Sequence, residues 1–296
     1  MLNVTLFFST VLIWGTTWIA ISLQVGEVPV VTSVFLRFAL AGAIMLIALV
    51  VLNRLRKPVS WSWVTIQALC IFCLNFIGLY LASEIIASGL VALIFSLASI
   101  FNAINARLFF GEAISGRTFL AGAIGAAGLT LIFWSDLAID FSLDTLKGIA
   151  WAGFGTLMFS FGNMASRRNT MIGTRPITAN AWGMAIGALA LAVTLLVSGG
   201  SLPLSDDPVY WSALVYLAVI GSIVGFTTYL VLVERIGSAQ AGYVTVLFPV
   251  VALTISTFFE GYVWTSLAGI GVVLTLFGNL IMFSAQVRLV RLWRAR

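Results

Sequence analysis

The sequence predicts an all-α polytopic membrane protein, with ten transmembrane helices in two inverted five-helix repeats. Three observations lead there. Of the 296 residues, 61% are hydrophobic and 8% charged, whereas a soluble globular chain carries roughly 25% charged residues. Apolar stretches recur along the whole length, each close to the roughly 20 residues that a helix needs to cross a hydrocarbon core about 30 Å thick. Alternating ten-residue strands of a barrel are absent from the pattern. The third observation is a phrase written twice, EIIASG at 84–89 and ERIGSA at 234–239, with Glu, Ile and Ser at the same spacing and an apolar run following each.

Windows bounded by charge, Gly or Pro place the spans near 3–23, 30–52, 63–83, 86–109, 117–134, 147–166, 176–198, 210–233, 237–258 and 264–285. The first lacks a basic start and an Ala-x-Ala exit, so it reads as a span and not as a cleaved signal. Arg54, Arg56 and Lys57 follow the second span, Arg107 and Arg117 flank the gap after the fourth, and Arg167, Arg168 and Arg175 separate the sixth from the seventh. Arg235 sits between the eighth and ninth, and Arg288, Arg291, Arg294 and Arg296 follow the tenth. With a cytoplasmic N-terminus these thirteen of the fifteen basic residues fall on one side, leaving Lys147 opposite and Arg37 inside span two. That bias is what the positive-inside rule requires, and one span more or fewer in mid-chain scrambles it. Both termini are therefore expected in the cytoplasm. The net charge of +5 is explained by orientation and anionic lipid, so a nucleic-acid partner is not expected.

The chain has no histidine, which removes His-based metal sites, Ser/His/Asp triads and Cys/His nucleophiles together. Cys70 and Cys73 form C-x-x-C inside a lipid-depth helix without further cysteines; redox chemistry and small core residues are the two readings. No cofactor, metal or enzymatic activity is expected.

The repeated phrase gains meaning from the span count. Glu84 ends the third span on the outer side and Glu234 ends the eighth on the inner side. At an offset of 150 the pairs Ile86/Ile236, Leu97/Leu247, Phe109/Phe259 and Gly111/Gly261 also match. Five helices are an odd number, so the second copy enters the membrane from the other face. Inverted repeats are a common transporter architecture, with the substrate held near mid-membrane between the halves. The competing reading is a duplicated scaffold without transport. Residues 1–140 and 141–296 are the expected halves.

Trp14-Gly15-Thr16, Leu36-Arg37-Phe38, LFFGEAIS at 108–115 and YLVLVERIGSAQAGYVTVLFPVVA at 229–252 together resemble the EamA-type drug/metabolite transporters, and within them the aromatic amino-acid exporters of bacterial inner membranes. The resemblance covers essentially the whole chain. It implies ten helices in two inverted repeats and export of small metabolites by alternating access. Two departures stand out. Ser99 occupies the place where the repeat and the family lead one to expect Pro, which bears on the geometry of span four. Phe259-Glu260-Gly261 replaces the usual Gly-Glu, a change expected to matter little at a helix end.

Polar side chains at lipid depth usually face a bundle interior or a cavity. Asn75, Ser96, Ser99, Asn102, Asn163, Ser222 and Thr245 are the candidates, and Ser96, Ser99 and Asn102 form a stripe at helical spacing; helix-to-helix hydrogen bonding is the competing role. Pro249 cannot donate to the carbonyl of Thr245, which either frees an acceptor for a substrate ammonium or merely kinks the span. Trp14 and Trp18 share a face of span one, Phe159 takes the corresponding place in span six, and Phe248 precedes the proline. Tyr80, Tyr229 and Tyr243 lie toward the expected cavity mouths. Aromatic walls with a few amides suit a flat or apolar amino acid, or an organic cation over a ring face; core packing is the plainer fate of each aromatic.

Arg37 snorkels, anchors a substrate carboxylate or pairs with an outer acid; a structural role is favoured because span two is expected at the periphery. No Asp or Glu lies near a span centre, so an evident proton relay is missing. Gly183/Gly187 and Gly221/Gly225 read as packing pairs. The expected function is export of aromatic or hydrophobic amino acids across the inner membrane by alternating access, with membrane lipid and a small-molecule substrate as partners and no oligomeric state assigned. Export of drugs or organic cations is the alternative. An intramembrane lipid-modifying enzyme lacks a nucleophile or acid/base pair here, and a purely structural protein leaves the polar stripe unexplained.

Overall fold

The structure, a computed structural model, describes residues 2–134, 142–199, 202–236 and 243–294. The boundary expected at 140/141 and the second copy of the repeated phrase from 237 to 242 lie outside the described residues. No strand occurs among the described residues. The helices are α1 (Leu2–Ser22), α2 (Val30–Val51), α3 (Trp61–Ser83), α4 (Ser88–Phe110), α5 (Gly116–Ile132), α6 (Leu143–Met171), α7 (Pro176–Val197), α8 (from Pro208 to Ile236), α9 (Val244–Phe259) and α10 (Ser266–Arg294). Six of them, α1 to α4, α7 and α8, are long and apolar enough to cross a membrane. Shorter apolar helices are α5, α9 and the first part of α10. Large apolar side chains on their outer faces remain exposed, as with Val197 at 82% and Phe258 at 80%, the surface that lipid covers in a multi-pass membrane protein.

Local chemistry sets the helix ends. The Ser60, Ser115 and Ser142 hydroxyls accept from the backbone N–H of Trp63, Thr118 and Thr145, capping α3, α5 and α6. Pro176 and Pro208 open α7 and α8, where a missing N–H costs nothing. Gly111 and Gly261 close α4 and α9 at φ of +70° and +68°, a conformation that suits glycine and fixes the paired pattern of the two repeats.

Three irregularities depart from plain helices. Residues 68–75 of α3 and 216–224 of α8 are π-helical, at corresponding places in the two halves. In α4 the helix breaks at Leu97, two residues before Ser99, while Pro249 sits inside an unbroken α9. The two counterpart helices thus differ where Ser99 and Pro249 differ, with the break in the copy that lacks proline.

Packing follows the repeat. Helices α2 and α7, α4 and α9, and α5 and α10 meet as counterparts, and the α1–α9 contact is mirrored by α6–α4. The α4–α9 pair runs antiparallel, with Ser88 at the start of one against Glu260 after the other. In α5 and α10, Gly128 lies against Gly271 and Gly278 against Ala121, again antiparallel. Gly183 and Gly187 both pack on Phe72, Gly221 on Thr17 and Gly225 on Trp14, so these pairs do serve close approach.

Candidate functional site

Two cavities lie between the halves. The larger, a vestibule of about 480 Å³, extends from Glu112, Ser115 and Arg167 to Ser99, Asn102, Asn163 and Thr245. Glu112 and Arg167 form an ion pair there with both side chains about half exposed, so the vestibule opens at the end where α4 stops and α5 begins. The smaller, about 70 Å³, is lined by aromatic and aliphatic side chains with Thr17, Arg37 and Asn75 as its polar members. Trp14, Phe95, Phe159 and Phe226 line both, forming the wall between vestibule and inner pocket.

The aromatic wall consists of two groups of touching rings, one around Phe95 and one around Trp14. Phe95 and Phe159 have ring centroids 4.7 Å apart, Trp18 stacks on Phe248 at 6.1 Å, and Trp14 meets Phe226 at 5.6 Å and Tyr229 at 4.9 Å. These rings come from α1, α4, α6, α8 and α9, and thus from both repeats. On the vestibule side, the Asn163 amide donates to Asn102 Oδ1 at 3.3 Å. Below it, Asn169 donates to Gln67 and Gln67 to Asn180, each at 3.0 Å, joining α6, α3 and α7.

Polar contacts join the helices at the end opposite the vestibule. Glu260 accepts from the Ser88 N–H at 3.1 Å and from its hydroxyl at 2.8 Å. The Tyr80 hydroxyl donates to Gln24 Oε1 at 2.9 Å, and the Ser33 and Tyr210 hydroxyls are 3.0 Å apart. The departure at 259–261, expected to matter little, therefore supplies a carboxylate that ties α9 to α4.

Of the sequence candidates, Trp14, Trp18, Asn75, Ser99, Asn102, Phe159, Asn163, Thr245 and Phe248 line one cavity or both. Tyr80 lies outside both linings and is buried against Gln24. Ser96 donates to the Leu93 carbonyl and accepts from Asn279 at 2.8 Å, and Ser99 donates to the same Asn279 side chain at 3.1 Å. Both serines thus hold α4 to α10, and Ser99 also reaches the vestibule. Ser222 accepts from Arg37 Nε at 3.2 Å. Tyr243 stands at the entry to α9, and Pro249 is buried within it. Cys73 donates to the Gly187 carbonyl at 3.2 Å, and both cysteines are free thiols.

Nothing but tertiary packing distinguishes Phe95 and Phe226 from other apolar-helix phenylalanines. Arg37, expected on a peripheral span, is turned inward. The side chain is 3% exposed and lines the inner pocket, because α2 packs against α7 and α8 and turns that face inward.

A family model described as the EamA-like transporter family matches residues 1–134 and again 146–284. The Bacillus subtilis protein named "Uncharacterized transporter YyaM" is 27% identical over 82% of this chain and 81% of its own length. The "Uncharacterized inner membrane transporter YedA" of Escherichia coli K12 is 24% identical over 84% of this chain and 80% of its own. A solved crystal structure superposes with a TM-score of 0.68 at 18% identity, covering 97% of this chain and 98% of that one, a likeness of fold alone. The relatives' names state transport and, for YedA, the inner membrane; they name no cargo.

Proposed function

The chain belongs to the EamA-like transporter family, and from that premise we propose that it is a secondary transporter of the bacterial inner membrane that exports aromatic or hydrophobic amino acids by alternating access. The observation that carries this reading is the aromatic wall of Trp14, Phe95, Phe159 and Phe226, shared by the vestibule and the inner pocket behind it. Such an arrangement is one of two states of a carrier. Rocking one repeat against the other exchanges the open end without moving the central site far.

Several features support ten spans in two inverted repeats with both termini cytoplasmic. The family model matches twice. Counterpart helices α4 and α9 run antiparallel, as do α5 and α10, as a relating axis in the membrane plane requires. With the basic residues on the cytoplasmic side, the vestibule faces inward on this reading.

A flat apolar side chain fits the aromatic wall by shape and by ring stacking. The test is uptake of labelled phenylalanine, alanine and an organic cation into proteoliposomes holding the purified protein. Phenylalanine uptake above protein-free vesicles, exceeding that of alanine, is the expected result; no uptake of any of the three overturns the proposal, and preference for the cation replaces it with a drug or organic-cation exporter.

A further inference from the structure

We propose that Arg37 and Asn75 form a head-group site for an α-amino acid, the guanidinium binding the carboxylate and the Asn75 amide oxygen accepting from the ammonium group. The inference rests on the transport reading above and names the chemistry that the inner pocket selects.

Arg37 is held in an environment that leaves part of its donor capacity open. Its side chain is 3% exposed, where an unpaired cation is costly and a partner is normally found. Nε donates to Ser222 Oγ at 3.2 Å, the Tyr80 hydroxyl lies within hydrogen-bonding reach of the guanidinium, and the guanidinium lies over the Phe76 ring at 4.4 Å and toward Phe38 at 5.4 Å. Among the described residues no carboxylate forms an ion pair with it. Nη1 is buried and lacks a hydrogen-bond partner. A snorkelling arginine would reach the membrane surface, whereas this one ends in the inner pocket.

Asn75 presents the complementary group. It is the last residue of the π-helical stretch in α3 and is 1% exposed. Its Nδ2 donates to the Ile71 carbonyl at 3.3 Å, which fixes the amide so that Oδ1 is the free atom, and Oδ1 has no partner. Ser222, which positions Arg37, lies in the matching π-helical stretch of α8. Both irregular segments thus converge on one pocket. Arg37 and Asn75 both line the inner pocket, and each carries a buried atom without a partner just behind that lining, the donor Nη1 and the acceptor Oδ1, which are the two kinds of group that a zwitterion requires. Guanidinium and carboxylate pair through two parallel hydrogen bonds, a geometry that ammonium or amide groups cannot supply. The inner pocket of about 70 Å³ takes the head group, and the side chain rests on the wall of Trp14, Phe95, Phe159 and Phe226. An organic cation in this place would face the uncompensated charge of Arg37.

The test measures binding to the full-length protein in lipid nanodiscs by quenching of tryptophan fluorescence, with Trp14 and Trp18 as reporters. Four probes differ only in the head group: phenylalanine, phenylalaninamide, 3-phenylpropionate and 2-phenylethylamine. Phenylalanine is expected to bind best, 3-phenylpropionate more weakly, and the two probes without a carboxylate at least about tenfold more weakly than phenylalanine. Arg37→Met should abolish the difference between phenylalanine and its amide, and Arg37→Lys should keep part of it. Should Arg37→Met fail to fold, the wild-type series decides. Equal binding of phenylalanine and its amide to the wild-type protein overturns the proposal. Transport separates the two readings: saturable uptake of 2-phenylethylamine unaffected by Arg37→Met removes the head-group site and leaves a transporter, whereas no uptake of any probe removes both.

Discussion

Glu260 and Ser88 join the end of α9 to the start of α4, one carboxylate oxygen accepting from the Ser88 N–H at 3.1 Å and from its hydroxyl at 2.8 Å. Ser256 donates to the same oxygen. The contact places a negative charge at the positive end of a helix and joins the two helices at the end opposite the vestibule. The alternating access proposed above requires this contact to break. In a background with Cys70 and Cys73 replaced by Ala, oxidising the pair Ser88→Cys and Glu260→Cys should stop proteoliposome transport, and reductant should restore it. Undiminished transport by the cross-linked protein would show that this end does not open.

A second prediction concerns the seam between α3 and α6. A Cβ on Gly78 would meet Gly155 N and Cα and the Trp151 carbonyl, all at 2.9 Å. These are backbone atoms that cannot rotate away. Gly78→Ala should therefore destabilise the protein by about 1–3 kcal/mol, despite the better helix propensity of alanine. Gly153 has nothing within 4 Å of the added atom, so Gly153→Ala should be neutral or slightly stabilising. Thermal melting of both variants in detergent, followed by monodispersity, compares them directly; equal midpoints would refute the close-packing account.

Asn279 separates glue from binding surface. It donates to Ser96 and accepts from Ser99, two interhelical bonds worth about 0.6 kcal/mol each on average in a membrane. Asn279→Ala should cost about 1 kcal/mol, with a double-mutant cycle against Ser96→Ala showing coupling. Asn102 faces the vestibule with Asn163, and Asn102→Ala is expected to change transport more than melting. The reverse pattern would move the binding surface toward α10.

Much of the helix layout was legible because charge, Gly and Pro punctuate apolar runs. The seventh span, read as 176–198, is Pro176–Val197, and the second, read as 30–52, is Val30–Val51. The sixth, read as 147–166, runs from Leu143 to Met171, since Ser142 caps it earlier and its arginine-bearing end continues as helix beyond the apolar stretch. The π-helical stretches were not legible: 68–75 and 216–224 contain no proline, and the widening is set by what packs against them. Arg37 was visible as an anomaly, yet its inward aim depends on how α2 meets α7 and α8. Glu260 was read as a harmless helix-end departure because its partner, Ser88, lies 172 residues away.

The placement of carboxylates leads to a prediction about energy coupling. Glu84 follows α3, Glu112 follows α4, Asp207 caps α8 and Glu260 follows α9. Proton-driven carriers usually hold a titrating acid at lipid depth, where binding a proton neutralises a charge that must cross. The inner pocket instead holds a cation, Arg37, and an amide, Asn75. On the proposed reading a zwitterion seated there balances its own charge, and the lining of that pocket offers no acid to carry a proton with it. Export down a concentration gradient should therefore continue unchanged when nigericin collapses the pH gradient across proteoliposomes. Strict dependence on that gradient, lost on replacing a single carboxylate by its amide, would show that one of the helix-end acids moves to the site during the cycle.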